Sequence, residues 1–403
     1  MIEAPGGRQG TLLAALACSL VVACSSSDHA PRLFDPNLFD APIADAGDGG
    51  ASGFDVATDA PELNCAADLE AGACACKEIG AHPPTLYLLL DHSGSMNEVV
   101  APAAVSKWNQ IRSALLDVSS GVLRSLGSRV AVGSAIFPAN GTGVGCTPGA
   151  EIFPVTVGST IGYDRLATVL GATLPDGSTP TAASIAALKA KLLALPKPVY
   201  LLLATDGAPN CGEGTCTADR CQYDIEHDRL KDGTECAPPL NCCDPSQVIG
   251  TTWKACLDSE NTRVAIETLL AGGIPTFVLG TPGLQPQYGA DLDGLAIAGG
   301  TAQPEGSGPR YYAASDTPTL EAALKTIAGK VVDSCTINLD APVTDRGVTN
   351  VLLDGVPVAQ DPVDGWTWLD DEHIGLHGAA CAEIQAGKVS TVKVAVGCKT
   401  ITR

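Results

Sequence analysis

From Thr85 onward, short and nearly unbroken apolar runs alternate with amphipathic stretches. The runs are Thr85-Leu-Tyr-Leu-Leu-Leu90, Arg129-Val-Ala-Val-Gly-Ser-Ala-Ile-Phe137, Pro198-Val-Tyr-Leu-Leu-Leu-Ala204 and Ile274-Pro-Thr-Phe-Val-Leu279. A strand that is apolar at nearly every position has both faces covered, which is the condition inside a parallel sheet with helices on each side. Arg310-Tyr-Tyr-Ala313 reads as a weaker fifth strand and Glu151 to Val157 as an antiparallel edge. Helices are expected near 106–126, 180–195, 261–271 and 317–332. In the second of these Ile185, Leu188 and Leu192 recur at helical spacing while Lys189 and Lys191 fall off the stripe. The alternation predicts an α/β fold with a doubly wound, mainly parallel sheet over 85–333.

After Cys335 the helical rhythm gives way to short strand signals: Val351-Leu-Leu, an Asp354-Gly355 turn, Val356-Pro-Val, Trp366-Thr-Trp368 and Val392-Lys-Val-Ala-Val396. Asp-Gly between apolar runs is a hairpin cue, so 335–403 reads as a small, disulfide-stapled all-β domain. The opposite end is different again. Residues 1–24 hold one arginine (Arg8), an apolar run from Thr11 to Ala23 too short for a comfortable membrane span, and then Cys24 followed by three serines. The Leu20-Val-Val-Ala-Cys24 ending resembles a bacterial lipobox, which implies a signal peptide and lipidation of Cys24. Plain secretion is the alternative. Ser25 after that cysteine resembles the sorting pattern for the outer membrane and leaves open which side the protein faces. Residues 25–64 read as a disordered Asp/Ala/Pro-rich tether, and 65–84 as a cysteine-containing extension.

The formal charge of -21 argues against nucleic acid as a partner, because phosphate binding requires a Lys/Arg footprint. Part of this acidity belongs to the tether, which carries eight acidic side chains against Arg32 alone. The chain has 16 cysteines, of which Cys18 and Cys24 precede the tether. With an export signal the remaining fourteen read as disulfide partners rather than metal ligands.

The first buried strand runs into Asp91-His-Ser-Gly-Ser95. Alternate side chains of an extended segment point the same way, so Asp91, Ser93 and Ser95 can converge at the strand's carboxyl end, where open α/β sheets bind ligands. One carboxylate and two hydroxyls satisfy part of the oxygen octahedron that a hard cation such as Mg²⁺ demands. Taken alone the segment is weak, since such residues also cap helices and form turns. Two further oxygen clusters strengthen it. Gly177-Ser-Thr-Pro-Thr181 opens the following helix, and Ala204-Thr-Asp-Gly207 ends the third core strand.

With these three segments in this order, 85–333 resembles the von Willebrand factor type A family and its metal ion-dependent adhesion site. The resemblance implies that Asp91, Ser93 and Ser95 hold a metal with Thr179, for which Thr181 is the alternative, and with Asp206 acting through water. Met96 also fits the family's Asp-x-Ser-Gly-Ser-Met form. The implied metal is Mg²⁺, with Mn²⁺ and Ca²⁺ as alternatives, and the implied partner is a protein ligand offering an Asp or Glu carboxylate. A further resemblance, to lipoproteins of this family from myxobacteria and relatives, rests on Pro209-Asn-Cys211, Cys242-Cys-Asp244 and Gly378-Ala-Ala-Cys381.

Between Asp206 and the helix near Asn261 lies an insert, 208–258, with seven cysteines: Cys211, Cys216, Cys221, Cys236, Cys242, Cys243 and Cys256. An odd number requires at least one partner outside, for which Cys146 is the candidate. Cys381 with Cys398 is an expected local pair, leaving Cys65, Cys74, Cys76 and Cys335 to clamp the two ends of the main domain. Spacing alone leaves the pairing open. The insert begins four residues after Asp206, so it is expected to overhang the metal face, either as a disulfide-bound flap or as a selector of ligands.

The leading function is metal-dependent binding at the cell envelope by a protein that is not an enzyme. A structural envelope protein with a vestigial metal site is the second reading, and a metal-dependent hydrolase a remote third. The chain has no Gly-x-Ser-x-Gly and no His-Glu-x-x-His. His92 and Ser93 are adjacent and should point apart, His373 and His377 lie among strand signals, and Asp291 with Asp293 lacks the other ligands of a calcium loop.

Overall fold

A computed structural model describes residues 77–79, 81–139, 145–212, 215–221, 229–237, 239–249, 252–332, 335–386, 388–389 and 392–402. The expected signal peptide, Cys24, the tether, Cys65, Cys74 and Cys76 lie outside these residues.

Six strands form the central sheet: β1 (Thr85–Asp91), β2 (Ala131–Phe137), β3 (Ala150–Val157), β4 (Val199–Thr205), β5 (Thr276–Gly280) and β6 (Tyr312–Ala313). Their order is β6-β5-β4-β1-β2-β3, parallel except for the antiparallel edge strand β3. The helices are α1 (Lys107–Leu116), α2 (Val122–Leu126), α3 (Thr160–Gly171), α4 (Thr181–Ala194), α5 (Ser259–Ala271), α6 (Gly289–Ala298) and α7 (Thr317–Val332). Alternation along β1 assigns its residues to two cores. Leu86, Leu88 and Leu90 pack with Ile111, Leu115, Leu166, Leu324 and Ile327, and Tyr87 and Leu89 pack with Ile185, Leu188, Ile266 and Leu295. The fold is therefore α/β, a doubly wound, mainly parallel sheet between two helical layers, which is why its central strands read as unbroken apolar runs.

Two helices, α3 and α6, fall where the sequence reading placed none, and the helix expected over 106–126 is broken at Asp117. Asp117 Oδ1 accepts bonds from the backbone and hydroxyl groups of both Ser119 and Ser120. Such local side-chain bonds offer the backbone an alternative to the helical ladder.

Eight further strands make two four-stranded antiparallel sheets. One is ordered Lys77–Ile79, Val392–Val396, Thr349–Leu353, Val356–Val358, and the other Trp366–Trp368, His373–Leu376, Thr336–Leu339, Ala81–His82. They share one core built on Ile337, Val351, Trp366, Ile374 and Val394, against which Ile79 and Ala81 also pack. The segment before β1 thus contributes a strand to each sheet. A helix the sequence did not announce, α8 (Gly378–Gln385), lies among these strands and carries Cys381.

The pair expected between Cys381 and Cys398 is not made. Cys381 joins Cys335, and Cys398 is bonded elsewhere. Cys398 is nearer to Cys381 along the chain than Cys335 is, but the fold places α8 beside the exit of the central domain, where Cys335 lies. Cys335 consequently does not take part in a clamp with the N-terminal cysteines. All seven insert cysteines are paired, as Cys146–Cys211, Cys216–Cys256, Cys221–Cys243 and Cys236–Cys242. Five disulfides among the described residues fit an exported protein in an oxidising compartment. No helix among those residues is long and apolar enough to cross a membrane.

Because Leu88 is fully buried in the centre of the sheet, Leu88→Ala is expected to lower unfolding free energy in urea by roughly 3–4 kcal/mol. Val118→Ala, at a site 83% exposed, should stay within about 0.5 kcal/mol of wild type.

Candidate metal centre

The segment after β1 turns at once. His92 N donates to Phe137 O at 2.7 Å, and Gly94–Asn97 form one turn of 3₁₀ helix with Met96 wholly buried beneath it. The loop before α4 is sewn to this turn by Asp176 N donating to His92 O (2.9 Å) and Gly94 N to Gly177 O (2.8 Å). Gly177 has φ +85° and an added Cβ would stand 2.9 Å from Gly145 O, so this close approach requires glycine.

Asp91 is fully buried. Its Oδ1 accepts from Ser93 N at 2.8 Å and its Oδ2 from Thr205 Oγ1 at 2.6 Å. The Ser93 and Ser95 hydroxyls lie 3.2 Å apart, and Ser95 Oγ donates to Asp206 Oδ1 at 2.9 Å. The structure thus brings Asp91, Ser93, Ser95 and Asp206 together at the carboxyl ends of β1 and β4. Thr179 lies in the loop bonded to them, with its N donating to Asn210 Oδ1 (2.6 Å) and its O accepting from Asn210 N (3.0 Å). Thr181 begins α4 and turns its N and hydroxyl back to Thr179 O.

Burial pushes the Asp91 carboxyl up to about 7, and the Asp206 charge adds to the rise. Two acids this close in a dry site call for a cation. Part of that demand is met by Lys107, whose Nζ donates to Asp206 Oδ2 at 2.7 Å and to Glu98 Oε2 at 2.6 Å. Burial alone would lower the Lys107 ammonium, but Asp206 and Glu98 outweigh it and hold it above its ordinary value. The oxygen set also fits a small hard cation. Its side-chain donors are all oxygens, the Asp91 and Asp206 carboxylates with the Ser93 and Ser95 hydroxyls, which is the ligand class that Mg²⁺ takes.

Lys107, Asn210 and Thr205 were not foreseen in the site. Thr205 adjoins Asp206 and Asn210 lies in a quoted motif, so their positions carried a signal. Nothing in the sequence marked Lys107, one polar residue of an amphipathic helix. His92 is buried edge-on against Trp108, and burial pushes its imidazole down to about 4 against a weaker opposing pull from Asp176. Both its ring nitrogens are unbonded, so His92 makes no hydrogen bond to Ser93. His373 and His377 are bonded to Asp370 and Thr367. Asp293 lies on α6 and accepts from Arg310 N and Tyr311 N. The sulfurs of Cys216, Cys243 and Cys256 lie within 4.8 Å of one another but belong to two disulfides, which offer no thiolate.

The insert is closed at its neck, where Cys211 N donates to Lys254 O and Asp258 N to Pro209 O. The Thr179 loop is held between Asn210 and Gly145, whose carbonyl accepts from Ser178 N. The next residue on each side, Cys146 and Cys211, forms the disulfide that joins the two flanks.

No family model and no curated protein matches the chain. Among solved structures it is similar to the pilus adhesin SpaC from Lactobacillus rhamnosus GG, at 12% identity and a TM-score of 0.40 over 78% of this chain and 39% of that one. It is similar to the vWF domain of the type V pili tip protein Mfa5 from Porphyromonas gingivalis, at 13% identity and a TM-score of 0.40 over 62% of this chain and 95% of that one. It is also similar to the manganese-loaded TRAP protein of Plasmodium vivax, at 15% identity and a TM-score of 0.35 over 62% and 76% of the two chains. The chain thus spans well under half of the pilus adhesin.

Replacing Cys146 and Cys211 together by serine opens a 65-residue link and should cost about 3–4 kcal/mol in urea unfolding. His92, with an unfolded-state value near 6.5 and a folded one near 4, contributes stability that is present above pH 6.5 and lost as pH falls through 4. In EDTA, His92→Leu should remove up to about 3 kcal/mol of that acid-side loss, read as the difference between the two proteins' stability-against-pH curves.

Proposed function

We propose that this chain is an envelope lipoprotein, anchored through Cys24 to the bacterial outer membrane, with a von Willebrand factor type A domain over 85–333. In this reading it binds a protein ligand through one divalent cation held by Asp91, Ser93, Ser95, Thr179 and Asp206. The observation that carries the reading is the gathering of the Ser93, Ser95 and Asp206 oxygens beside a buried Asp91 at the strand ends, an all-oxygen set of the kind a hard cation takes. The cation would supply a Lewis-acidic position that an Asp or Glu carboxylate of the partner can fill. Asp91 is fixed by Thr205 and Ser93, so its carboxylate oxygens are oriented before any ion arrives. Mg²⁺ is the expected metal, and no catalytic role is assigned.

One observation favours the second reading, a structural envelope protein with a vestigial site: Lys107 already meets the charge of Asp206. Thermal unfolding of the oxidised full chain separates the two. In EDTA and then Mg²⁺, Mn²⁺ or Ca²⁺, a metal bound only by the native state raises the melting point, by about 5 °C at a hundredfold excess over Kd. The rise should vanish in Asp91→Ala. No rise with any metal, either in wild type or once the Lys107 charge is removed, would select the structural reading, and a rise that survives in Asp91→Ala would place the metal elsewhere.

A further inference from the structure

Lys107 is the first residue of α1 and only 3% exposed. Both facts count against a cation there. The amino end of a helix carries partial positive charge, and a buried ammonium loses its hydration. The fold nevertheless builds a place for it. Gly283, at φ +89°, leaves open the space beside Lys107 Cε, where an added Cβ would come within 2.7 Å. Glu98 and Asp206 then grip the ammonium from two sides, at 2.6 and 2.7 Å.

The two grips differ. Glu98 is 63% exposed and its charge is largely met by water, whereas the Asp206 side chain is 2% exposed and its other oxygen accepts from Ser95. Lys107 therefore neutralises the one carboxylate that the proposed metal centre shares with the Ser95 arm. A divalent ion with Asp91 and Asp206 alone would be close to charge balance, and the fixed ammonium leaves an excess of one positive charge.

We infer that Lys107 is a built-in counter-cation that competes with the metal for Asp206 and sets a low intrinsic metal affinity at this site. The inference rests on the metal reading given above. It makes the centre one that holds its ion weakly until an anionic ligand offsets the extra charge.

The test is the melting point of the oxidised full chain against Mg²⁺ and Mn²⁺ concentration, for wild type, Lys107→Met, and Lys107→Met combined with Asp91→Ala. Removing one charge next to a divalent ion should lower the half-saturating metal concentration roughly ten- to a hundredfold in Lys107→Met, and the combined variant should lose the response. A metal response seen in Lys107→Met alone also supports the inference. A half-saturating concentration equal to or above wild type in Lys107→Met overturns it while the metal reading stands. No response in either protein overturns both. Should Lys107→Met fail to fold, Lys107→Gln, whose amide can still donate to Asp206, gives the same comparison.

Discussion

Asp91 and Asp206 end adjacent strands of a sheet whose two faces are both buried, and the register of that sheet forces their carboxylates into one dry pocket. Neither acid can retreat to water without pulling β1 or β4 out of the core. Thr205 and Ser93 donate to Asp91, and Ser95 and Lys107 to Asp206, so each group near the strand ends is explained by the need to stabilise negative charge where solvent does not reach. The arrangement is costly for a fold that gains nothing from it. A hydrophobic pair at the same positions would satisfy the sheet without this cost, and that cost is what the proposed function accounts for.

The loops that complete the site are held by bonds rather than by their own shape. The Thr179 loop contains a left-handed glycine and a proline and has no regular structure before α4. It is pinned on one side by Gly94 and His92, and on the other by Asn210 and Gly145. The Cys146–Cys211 disulfide then ties the two outer flanks to each other. The insert is thereby more than an appendage, because its first residues are part of the wall around Thr179, and its remaining three disulfides are local and close the flap on itself.

The sheet and the acidic strand end were legible because they follow from short-range rules. Unbroken apolar runs such as Leu86 to Leu90 signal burial on both faces, and alternation within Asp91-His-Ser-Gly-Ser95 puts every second side chain on one side. Helix α6 was missed because it is apolar nearly all round and shows no clean stripe, whereas α3 does carry one, Tyr163, Leu166 and Leu170, which the sequence reading passed over. The strands at 77–82 were too short to read and gain their identity from partners more than 250 residues away. The expected Cys381–Cys398 pair failed for the same reason, since Cys335 and Cys381 meet only once α8 is folded, whereas Cys146 is the outside partner of the insert that its odd cysteine count required. Lys107 was invisible because its meaning depends on the Asp206 oxygen 99 residues away, not on any neighbour in sequence.

The antiparallel module and the candidate centre occupy opposite edges of the central sheet. β1 begins at Thr85, immediately after the strand at Ala81–His82, and ends at Asp91, so the module adjoins the amino edge and the oxygens lie at the carboxyl edge. Arg129, just before β2, confirms the placement by donating to Gln385 O of α8. A seven-residue strand separates the two edges by about 23 Å. Disulfide Cys335–Cys381 and the paired strands at 77–82 can therefore fasten both ends of the central domain without covering the face where the acids converge. The insert emerges from β4 on that far side, so whatever reaches the strand ends meets the cysteine-rich loops and not the module.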